Sequence, residues 1–393
     1  MLFLYVLLGF GMLILFVAGV VEQRRHFANL QAIPVRILVN GIRGKSSITR
    51  LCAGALTGGS LHVAAKTTGT AARYISPDGS EVPVYRKFNI PNPIEQIGVV
   101  KHAAAEHVDA LVVECMAVEP SLQQLNQDKL IRSTIGVISN VREDHLTEMG
   151  PTLERVARSL ARSLPRGGVC VTAESAWFPV LEEEARRRKC RLVFADAASV
   201  ADEEMEGFGH FAFKENVAIA LEVARAVGVG RIDALRGMWG AQADPSVLTV
   251  ETYTVGGKTL RFANIFSAND PRSTLLNRDR LLESALVQQP IFTLINCRPD
   301  RIERNRQMAE LVPELGTERV FVIGHPAKSA IRALPRGWQG KVVDLGGEGR
   351  DPEEIFGSIL QEVEHEASLL AIGNVHGQGE RLLEFLEGLG GLR

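Results

Sequence analysis

A glycine-rich turn is the part of the sequence best suited to phosphate chemistry. The apolar stretch 35–40 leads into Gly41–Ser47, which reads G-x-x-G-K-S-S and opens a helical pattern. A strand, a glycine loop and a helix N-terminus in succession point backbone N–H groups and the positive end of a helix dipole at a phosphate. We expect Lys45 to reach the outer phosphates and the Ser46 hydroxyl to bind Mg²⁺. The spacing is tighter than that of the common P-loop, which has Gly where this chain has Val39, and a turn without a ligand is the alternative. The expected nucleotide-binding residues of the loop are Gly41, Gly44, Lys45, Ser46 and Ser47.

A single carboxylate lies near the end of the next buried strand. The run 110–116 is apolar except for Glu114. Ligands of open α/β sheets bind beyond the carboxyl ends of the strands, and a carboxylate is a typical Mg²⁺ ligand. We therefore expect Glu114 to bind the metal together with Ser46. A strand-end glutamate facing solvent is the alternative.

Two further polar residues follow predicted strands. His145 comes shortly after the strand 134–140, where it would bind a second metal or act as a base, and a solvated loop residue is the alternative. Thr68 follows the predicted strand 61–65 and is suited to contact a phosphate or a carboxylate. An ordinary polar loop is the alternative there.

Length and composition indicate a globular protein of two domains. The chain has 393 residues and a net charge of −2, so nothing in its overall charge points to nucleic acid. Its five cysteines are scattered without a C-x-x-C motif, which favours reduced, buried thiols over a disulfide framework or a zinc site.

The first 21 residues predict a membrane anchor. They contain no charged residue, and a helix of that length is about 31 Å long, enough to cross the hydrocarbon core. Arg24 and Arg25 follow the apolar run, so the positive-inside rule places the N-terminus outside and the remainder in the cytoplasm. We expect a single-pass anchor over 1–22. A cleaved signal peptide and a buried soluble helix are the alternatives.

Beyond the anchor the sequence alternates strand and helix, which predicts an α/β fold with two domains. The first spans 33–243 and includes predicted helices over 151–164, 213–227 and 231–239. The stretch 240–246 breaks the pattern, and we place the boundary there. The second domain, 247–393, is expected to be Rossmann-like and doubly wound. Its predicted strands are 261–266, 291–297, 319–324, 341–345 and 369–374.

The order of these motifs resembles the Mur ligase family of ATP-dependent amide ligases. The resemblance rests on the G-x-x-G-K-S-S loop, Glu114, the run Asn140-x-x-x-Asp144-His145-Leu146 and Asn216 in a helix. Longer strings resemble the membrane-bound members that form poly-γ-glutamate. They are NGIRGKSSITRL, KTTGTAAR, VVECMAV, GVISNVREDHLTEMGPTLE, FSANDPRST, INCRPDR and IGNVHGQGE.

The resemblance implies a role for each matching residue. Lys45 contacts the ATP phosphates, Ser46 and Glu114 hold one Mg²⁺, and His145 holds a second that bridges the γ-phosphate and the acyl substrate. Asn216 lies near the adenine, and Asp270 comes from the second domain to close over the nucleotide. The remaining candidates, for carboxylate binding, are Arg298, Arg301 and His376.

Three departures from the family pattern are visible. Many Mur ligases carry a carbamoylated lysine fifteen residues after the metal-binding histidine, where this chain has Leu160. The arginine at the domain junction is replaced by the stretch 244–247. The phosphate loop begins about a dozen residues after the anchor, which leaves no room for a domain that binds a UDP-linked substrate.

The resemblance also implies a reaction. ATP would phosphorylate the γ-carboxylate of a glutamate chain end, and the amine of another glutamate would attack the acyl phosphate to release ADP and phosphate. Domain closure at 244–246 would exclude water, and Arg298, Arg301, Arg304 and Arg306 would hold the polyanion. A solvated helix face is the alternative for the last two.

The implied partners are glutamate, the poly-γ-glutamate chain and companion membrane subunits; a homo-oligomer is left open. Two other functions remain as alternatives. One is a membrane-tethered P-loop ATPase of a transport or regulatory complex, and the other is a ligase of the folylpolyglutamate synthase type.

Overall fold

A computed structural model describes residues 2–68, 72–84, 86, 92–208, 212–242, 248–266, 268 and 270–390. The chain divides into two compact units, Met1–Asp244 and Pro245–Arg393, and each is described by itself. The hinge predicted at 244–246 lies outside the described residues, as do Ser267 and Asn269 of the FSANDPRST string. The predicted domain limits and the hinge role stay predictions.

Helix α1 (Leu2–Ala32) is longer than the predicted anchor. Within the described residues it is the one helix long and apolar enough to cross a membrane. It does not end at the charged residues that follow position 21. Instead, His26 and Leu30 are buried against the first unit, and His26 Nε2 lies 3.0 Å from the carbonyl oxygen of Leu130. The apolar segment and the folded unit are therefore joined by continuous helix.

The first unit is built on an eight-stranded sheet with the order β4-β3-β2-β5-β1-β6-β7-β8. At one edge β3 pairs antiparallel with both β2 and β4, and the other neighbours pair in parallel. The strands are β1 (Val35–Asn40), β2 (Val63–Lys66), β3 (Arg73–Ile75), β4 (Glu81–Pro83), β5 (Ala110–Glu114), β6 (Ile135–Ile138), β7 (Val169–Thr172) and β8 (Arg191–Phe194). The helices that follow α1 are α2 (Lys45–Gly58), α3 (Glu95–Ala105), α4 (Pro120–Leu125), α5 (Leu146–Met149), α6 (Leu153–Leu160), α7 (Phe178–Arg187), α8 (Asp202–Glu206), α9 (Lys214–Val227) and α10 (Arg231–Trp239).

The central strands are apolar because helices cover both faces of the sheet. Ile37 and Val39 of β1 pack with α2, α9 and α10 on one face, while Leu38 packs with α3 and the end of α1 on the other. Helices α2 and α10 touch backbone to backbone, since a Cβ added to Gly237 would lie 2.0 Å from the carbonyl oxygen of Gly54. This packing holds the N-terminus of α2 at the carboxyl end of β1, where the predicted phosphate loop, Gly41–Ser47, lies.

The second unit is a six-stranded sheet with the order β13-β12-β11-β14-β10-β9. Of these six strands only β9 pairs antiparallel, and it lies at the edge. The strands are β9 (Thr249–Val255), β10 (Lys258–Asn264), β11 (Ile291–Cys297), β12 (Thr317–Gly324), β13 (Val342–Asp344) and β14 (Glu366–Gly373). The helices are α11 (Pro271–Glu283), α12 (Ile302–Glu310), α13 (Ala327–Ile331), α14 (Pro352–Glu362) and α15 (Gln378–Gly390).

The second sheet changes winding direction between β11 and β14. The chain passes from β11 outward to β12 and β13 and then returns to place β14 beside β11. Helices α14 and α15 pack on the face that contains Phe321 and Leu369, where they form an apolar cluster with the sheet. In doubly wound sheets such a reversal opens a crevice at the carboxyl ends of the two strands.

The α/β prediction is confirmed, and most predicted strands lie within a few residues of the observed ones. Several elements were missed: the β3–β4 hairpin, the edge strand β9, the short helices α4, α5 and α8, and a π-helical stretch over Asn126–Ile131. The predicted helix 151–164 was too long at both ends, because α6 covers only Leu153–Leu160 and continues as a 3₁₀ turn, Ala161–Ser163. The five cysteines are free and buried, as predicted, and burial raises the pKa of the Cys190 thiol to about 11.

Candidate active site

The phosphate loop is shaped by two glycines and by the end of β6. Gly41 has φ of 127° and Gly44 has φ of 77°, a region that favours glycine. A Cβ on Gly41 would lie 2.0 Å from Ser139 Oγ, so a side chain cannot fit there. The Asn140 amide accepts a hydrogen bond from the Arg43 N–H at 3.0 Å and donates to the Arg43 carbonyl at 3.1 Å. The loop conformation is therefore fixed by neighbours distant in sequence.

Helix α2 begins with features that suit an anion. Gly44 precedes the helix with no side chain to cap it, and the first turn carries no acidic residue. Its first N–H groups and the helix dipole therefore favour a negative charge. Lys45 Nζ donates to the carbonyl oxygens of Gly41 and Ile42 at 3.0 and 3.2 Å, which keeps the ammonium group over the loop.

Glu114 lies directly beside the start of α2, as the sequence predicted. Ser46 Oγ donates to Glu114 Oε2 at 2.8 Å, and the Thr68 N–H donates to the same oxygen at 2.7 Å. The Gln96 amide donates to the Glu114 carbonyl at 3.4 Å. Glu114 is only 3% exposed, so the alternative of a glutamate facing solvent is wrong.

This oxygen pair fits a hard divalent cation. Mg²⁺ binds oxygen ligands at about 2.0–2.1 Å in octahedral geometry, which puts neighbouring ligands about 3 Å apart. The 2.8 Å between Ser46 Oγ and Glu114 Oε2 is close to that spacing. Ser46 and Glu114 are therefore the residues that would hold a cation against a phosphate bound at the loop.

His145 lies near the loop but is not gathered with Glu114 into a ligand cluster. It has φ of 49° and precedes α5, with Nε2 at 3.8 Å from Asp144 Oδ2 and Nδ1 at 3.9 Å from Glu148 Oε2. Asp144 in turn pairs with Arg43 at 3.2 Å. Among the residues that the structure describes, no group of three His, Cys, Asp or Glu side chains is arranged to hold a metal.

Asn216 and Leu160 have well-defined surroundings. A Cβ added to Gly44 would lie 3.5 Å from both polar atoms of the Asn216 amide, so Asn216 lies beside the phosphate loop itself. Leu160 has no exposed surface and packs in an apolar cluster with Ile138 and Met149. The position expected for a carbamoylated lysine is thus part of the apolar core in this chain.

The second unit gathers polar side chains at its own reversal point. Asp270 caps α11 by accepting from the Ser273 N–H at 2.8 Å. Arg298 pairs with Asp300 at 2.8 Å, Arg301 lies 3.8 Å from the same carboxylate, and His376 lies 3.4 Å from Glu380. Arg298 and Arg301 follow β11 and His376 follows β14, so the fold brings them to one end of neighbouring strands.

A buried amide network at this point was not predicted. Arg304 Nη1 donates to Asn374 Oδ1 at 3.2 Å, and Asn374 Nδ2 donates to Asn305 Oδ1 at 3.2 Å. The Asn296 amide donates to the Asn374 carbonyl at 2.6 Å. Arg306, by contrast, pairs with Glu303 and Glu310 on the surface of its own helix. The solvated-face alternative therefore describes Arg306 and not Arg304.

Family models match both units of the chain. Residues 39–223 match the Mur ligase middle domain, and residues 250–389 match the poly-gamma-glutamate synthase CapB C-terminal domain. The capsule biosynthesis protein CapB of Bacillus anthracis is 35% identical over 382 residues, covering 97% of this chain and 82% of that protein. The PGA synthase CapB of Bacillus subtilis (strain 168) is 35% identical over 375 residues, covering 94% and 95%.

Solved structures share the fold at low identity. E. coli FolC in complex with DHPP and ADP superposes with a TM-score of 0.67 at 15% identity, covering 95% of this chain and 93% of that one. A bifunctional folylpolyglutamate synthase/dihydrofolate synthase with Mn, AMPPNP and L-glutamate bound gives a TM-score of 0.65 at 15% identity, covering 93% of each chain. At this identity the likeness shows the fold alone.

Proposed function

The chain belongs to the CapB family of poly-γ-glutamate synthases, whose middle domain is that of the Mur ligases, and from this we propose that it is an ATP-dependent ligase that extends poly-γ-glutamate. A γ-carboxylate at a chain end is phosphorylated by ATP to an acyl phosphate. The amine of a second glutamate then displaces the phosphate, and ADP and phosphate are released.

The observation that carries the proposal is the contact of Ser46 with Glu114 at the N-terminus of α2. The loop N–H groups hold phosphates, and the oxygen pair holds a divalent cation against them. A bound cation would withdraw charge from the transferring phosphoryl group. Solved structures that share the fold include complexes with ADP and with Mn and AMPPNP, so the fold itself can bind such a nucleotide with a divalent cation. We take the physiological cation to be Mg²⁺.

Lys45 and Glu114 have different electrostatic roles in this proposal. A carboxylate and ATP are both anions, so they repel each other as they approach. The Lys45 ammonium lies over the loop and offsets that repulsion at the outer phosphates. Glu114 is fixed by the Thr68 N–H, so it needs no rearrangement to accept a cation. Thr68 takes part through its backbone, and contact of its hydroxyl with substrate stays a prediction.

We propose that His145 acts on the carboxylate that ATP phosphorylates. His145 lies 3.8 Å from Asp144, and Asp144 pairs with Arg43 of the phosphate loop. His145→Ala is expected to lower kcat by about 10–100-fold while the affinity for ADP stays within about twofold, because the second cation that His145 would hold acts on the γ-phosphate, which ADP lacks. Steady-state kinetics and calorimetric titration with ADP measure the two effects. An unaltered kcat in His145→Ala would remove this residue from the site.

Glu148→Gln is the matched control for the histidine variant. Glu148 belongs to α5, lies 3.9 Å from His145 Nδ1 and is about half exposed. Replacing it keeps the size of the side chain and removes one charge near the imidazole. We expect kcat within about twofold of the unaltered chain, as for most exposed substitutions. A loss as large as that of His145→Ala would indicate a general disturbance of α5 and its surroundings.

We propose that the second unit binds the carboxylates of the acceptor, the glutamate that supplies the amine. Arg298 and Arg301 supply positive charge at the end of β11, Arg304 adds to it, and the His376 imidazole follows β14. Guanidinium groups bind carboxylates through paired hydrogen bonds, which suits a polyanionic product. The catalytic role of Asp270 and the contact of Asn216 with adenine stay predictions.

The location of the enzyme is also part of the proposal. Helix α1 spans the membrane with its N-terminus outside, and the chain that follows it lies in the cytoplasm. One helix offers a polyanion no path outward, so companion membrane subunits are proposed for export. Purification of the assembly from membranes tests these subunits and a homo-oligomer together.

The decisive experiment measures the dependence of ADP release on glutamate. Full-length protein in membranes with its companion subunits is expected to release ADP, not AMP, only when glutamate or a poly-γ-glutamate chain is present. Coupled ADP detection and separation of the labelled polymer on a gel measure both products. The ratio of ADP released to glutamate incorporated should be close to one.

The two alternatives give different results in that assay. A tethered ATPase of a transport or regulatory complex would release ADP without glutamate and form no amide bond. A ligase of the folylpolyglutamate synthase type would need a folate as the acyl donor. Release of AMP, or turnover independent of glutamate, would contradict the proposal.

A further inference from the structure

Lys66 is a fully buried lysine beside the cation site, and the proposed mechanism does not use it. It is the last residue of β2 and has no exposed surface. Its Nζ lies 2.5 Å from Glu95 Oε1 and 3.8 Å from Met116 Sδ. Arg86 Nε pairs with the other Glu95 oxygen at 3.1 Å. Lys66, Glu95 and Arg86 thus form a buried ion triad.

A buried ion triad of this kind contributes little to the stability of a fold. The free-energy cost of removing an ammonium group and a carboxylate from water can exceed the gain from their mutual attraction, and apolar residues of similar volume often stabilise a protein equally well. Burial lowers the pKa of Lys66, while the Glu95 carboxylate beside it acts in the opposite direction. The position of the triad, rather than its contribution to stability, indicates what it does.

Each residue of the Lys66–Glu95 pair has a close neighbour in sequence that hydrogen-bonds to Glu114. Two residues after Lys66, the Thr68 N–H donates to Glu114 Oε2. One residue after Glu95, the Gln96 amide donates to the Glu114 carbonyl. The pair therefore ties the end of β2 to the start of α3, and these segments hold the Glu114 side chain and backbone together with Ser46 of α2 and with β1.

We propose that Lys66 is a positioning residue for the cation site: its ion pair with Glu95 fixes the Thr68 N–H and the Gln96 amide that orient Glu114. The inference rests on the proposed binding of a divalent cation by Ser46 and Glu114. Lys66 touches neither nucleotide nor cation. Its effect passes through backbone and amide contacts, so the carboxylate is aligned before the cation arrives.

Simple electrostatics predicts the opposite sign, which makes the idea testable. Lys66 carries a positive charge close to Glu114, and removing a nearby positive charge should tighten the binding of a cation. Loss of a positioning contact should weaken it instead. Outer residues that orient metal ligands typically change metal affinity by about 10–100-fold.

The test uses Lys66→Met in the full-length protein, with Mn²⁺ as the probe. Mn²⁺ binding in the presence of ADP is measured by electron paramagnetic resonance, and ADP affinity without a cation by calorimetry. We expect Mn²⁺ to bind roughly 10–100-fold more weakly while metal-free ADP affinity stays within about twofold. Equal or tighter Mn²⁺ binding in the folded variant overturns the inference.

Two further variants complete the experiment. Lys101→Met makes the same change at an exposed position of α3 and should leave Mn²⁺ affinity unchanged. If Lys66→Met fails to fold, Lys66→Gln removes the same positive charge but leaves a polar side chain, and it should also weaken Mn²⁺ binding. Equal or tighter Mn²⁺ binding in folded Lys66→Gln overturns the inference.

The same measurements test the proposed cation site separately from the role of Lys66. If the unaltered protein with ADP binds no Mn²⁺, or if Glu114→Gln leaves its affinity unchanged, the proposed cation site is wrong and the role of Lys66 falls with it. If Glu114→Gln loses Mn²⁺ but Lys66→Met does not, only the role of Lys66 is wrong.

Discussion

Lys45→Ala is expected to reduce kcat/KM for ATP by about 10³-fold or more, because the ammonium group placed over the phosphate loop is lost. The stability cost should be small. Lys45 Nζ makes two hydrogen bonds, to Gly41 and Ile42, and each net contribution is about 1 kcal/mol. Activity measurements and a thermal unfolding curve separate the two effects.

Lys45→Arg is the informative companion of that variant. It keeps the charge but replaces a compact ammonium group with a planar guanidinium group that does not fit the same loop. We expect partial activity, between that of Lys45→Ala and the unaltered chain. Full activity in Lys45→Ala would show that the phosphates of ATP are not bound at this loop.

Local sequence was enough to predict the phosphate loop and its partner carboxylate. The order strand, glycine loop and helix fixes where Lys45 and Ser46 lie, and a buried strand ending in one acid places Glu114 at the same sheet edge. Parallel pairing of β1 with β5 then brings the two together without further information. These predictions needed only neighbouring residues and one rule of sheet geometry.

The contacts that were missed join residues far apart in sequence. Lys66 and Glu95 are separated by 29 positions, and Asn296 and Asn374 by 78. Nothing in the local pattern near Lys66 signals an ion pair, because a lysine after a strand ordinarily reaches solvent. The edge strand β9 was missed because its side chains are largely exposed, so no apolar run marks it.

Glu114→Gln is expected to remove cation binding and lower kcat/KM by about 10³-fold. A hard divalent cation prefers a charged carboxylate to a neutral amide, and Glu114 is the acid that Ser46 contacts at this site. The Gln side chain has almost the same shape, so its carbonyl oxygen can still accept from the Thr68 N–H. Mn²⁺ affinity and kinetics measure the loss.

The thermal stability of Glu114→Gln should not fall with its activity. Without a cation, Glu114 keeps a carboxylate buried at 3% exposure, and a neutral amide removes the desolvation of that charge. We expect the cation-free Tm of Glu114→Gln to equal or exceed that of the unaltered chain, the usual exchange between stability and function at a site. Glu119→Gln, at an exposed position five residues further on, should change neither activity nor Tm. A Glu114→Gln variant that loses activity by unfolding would instead mean that Glu114 holds the fold, and its assignment as a cation ligand would have to be abandoned.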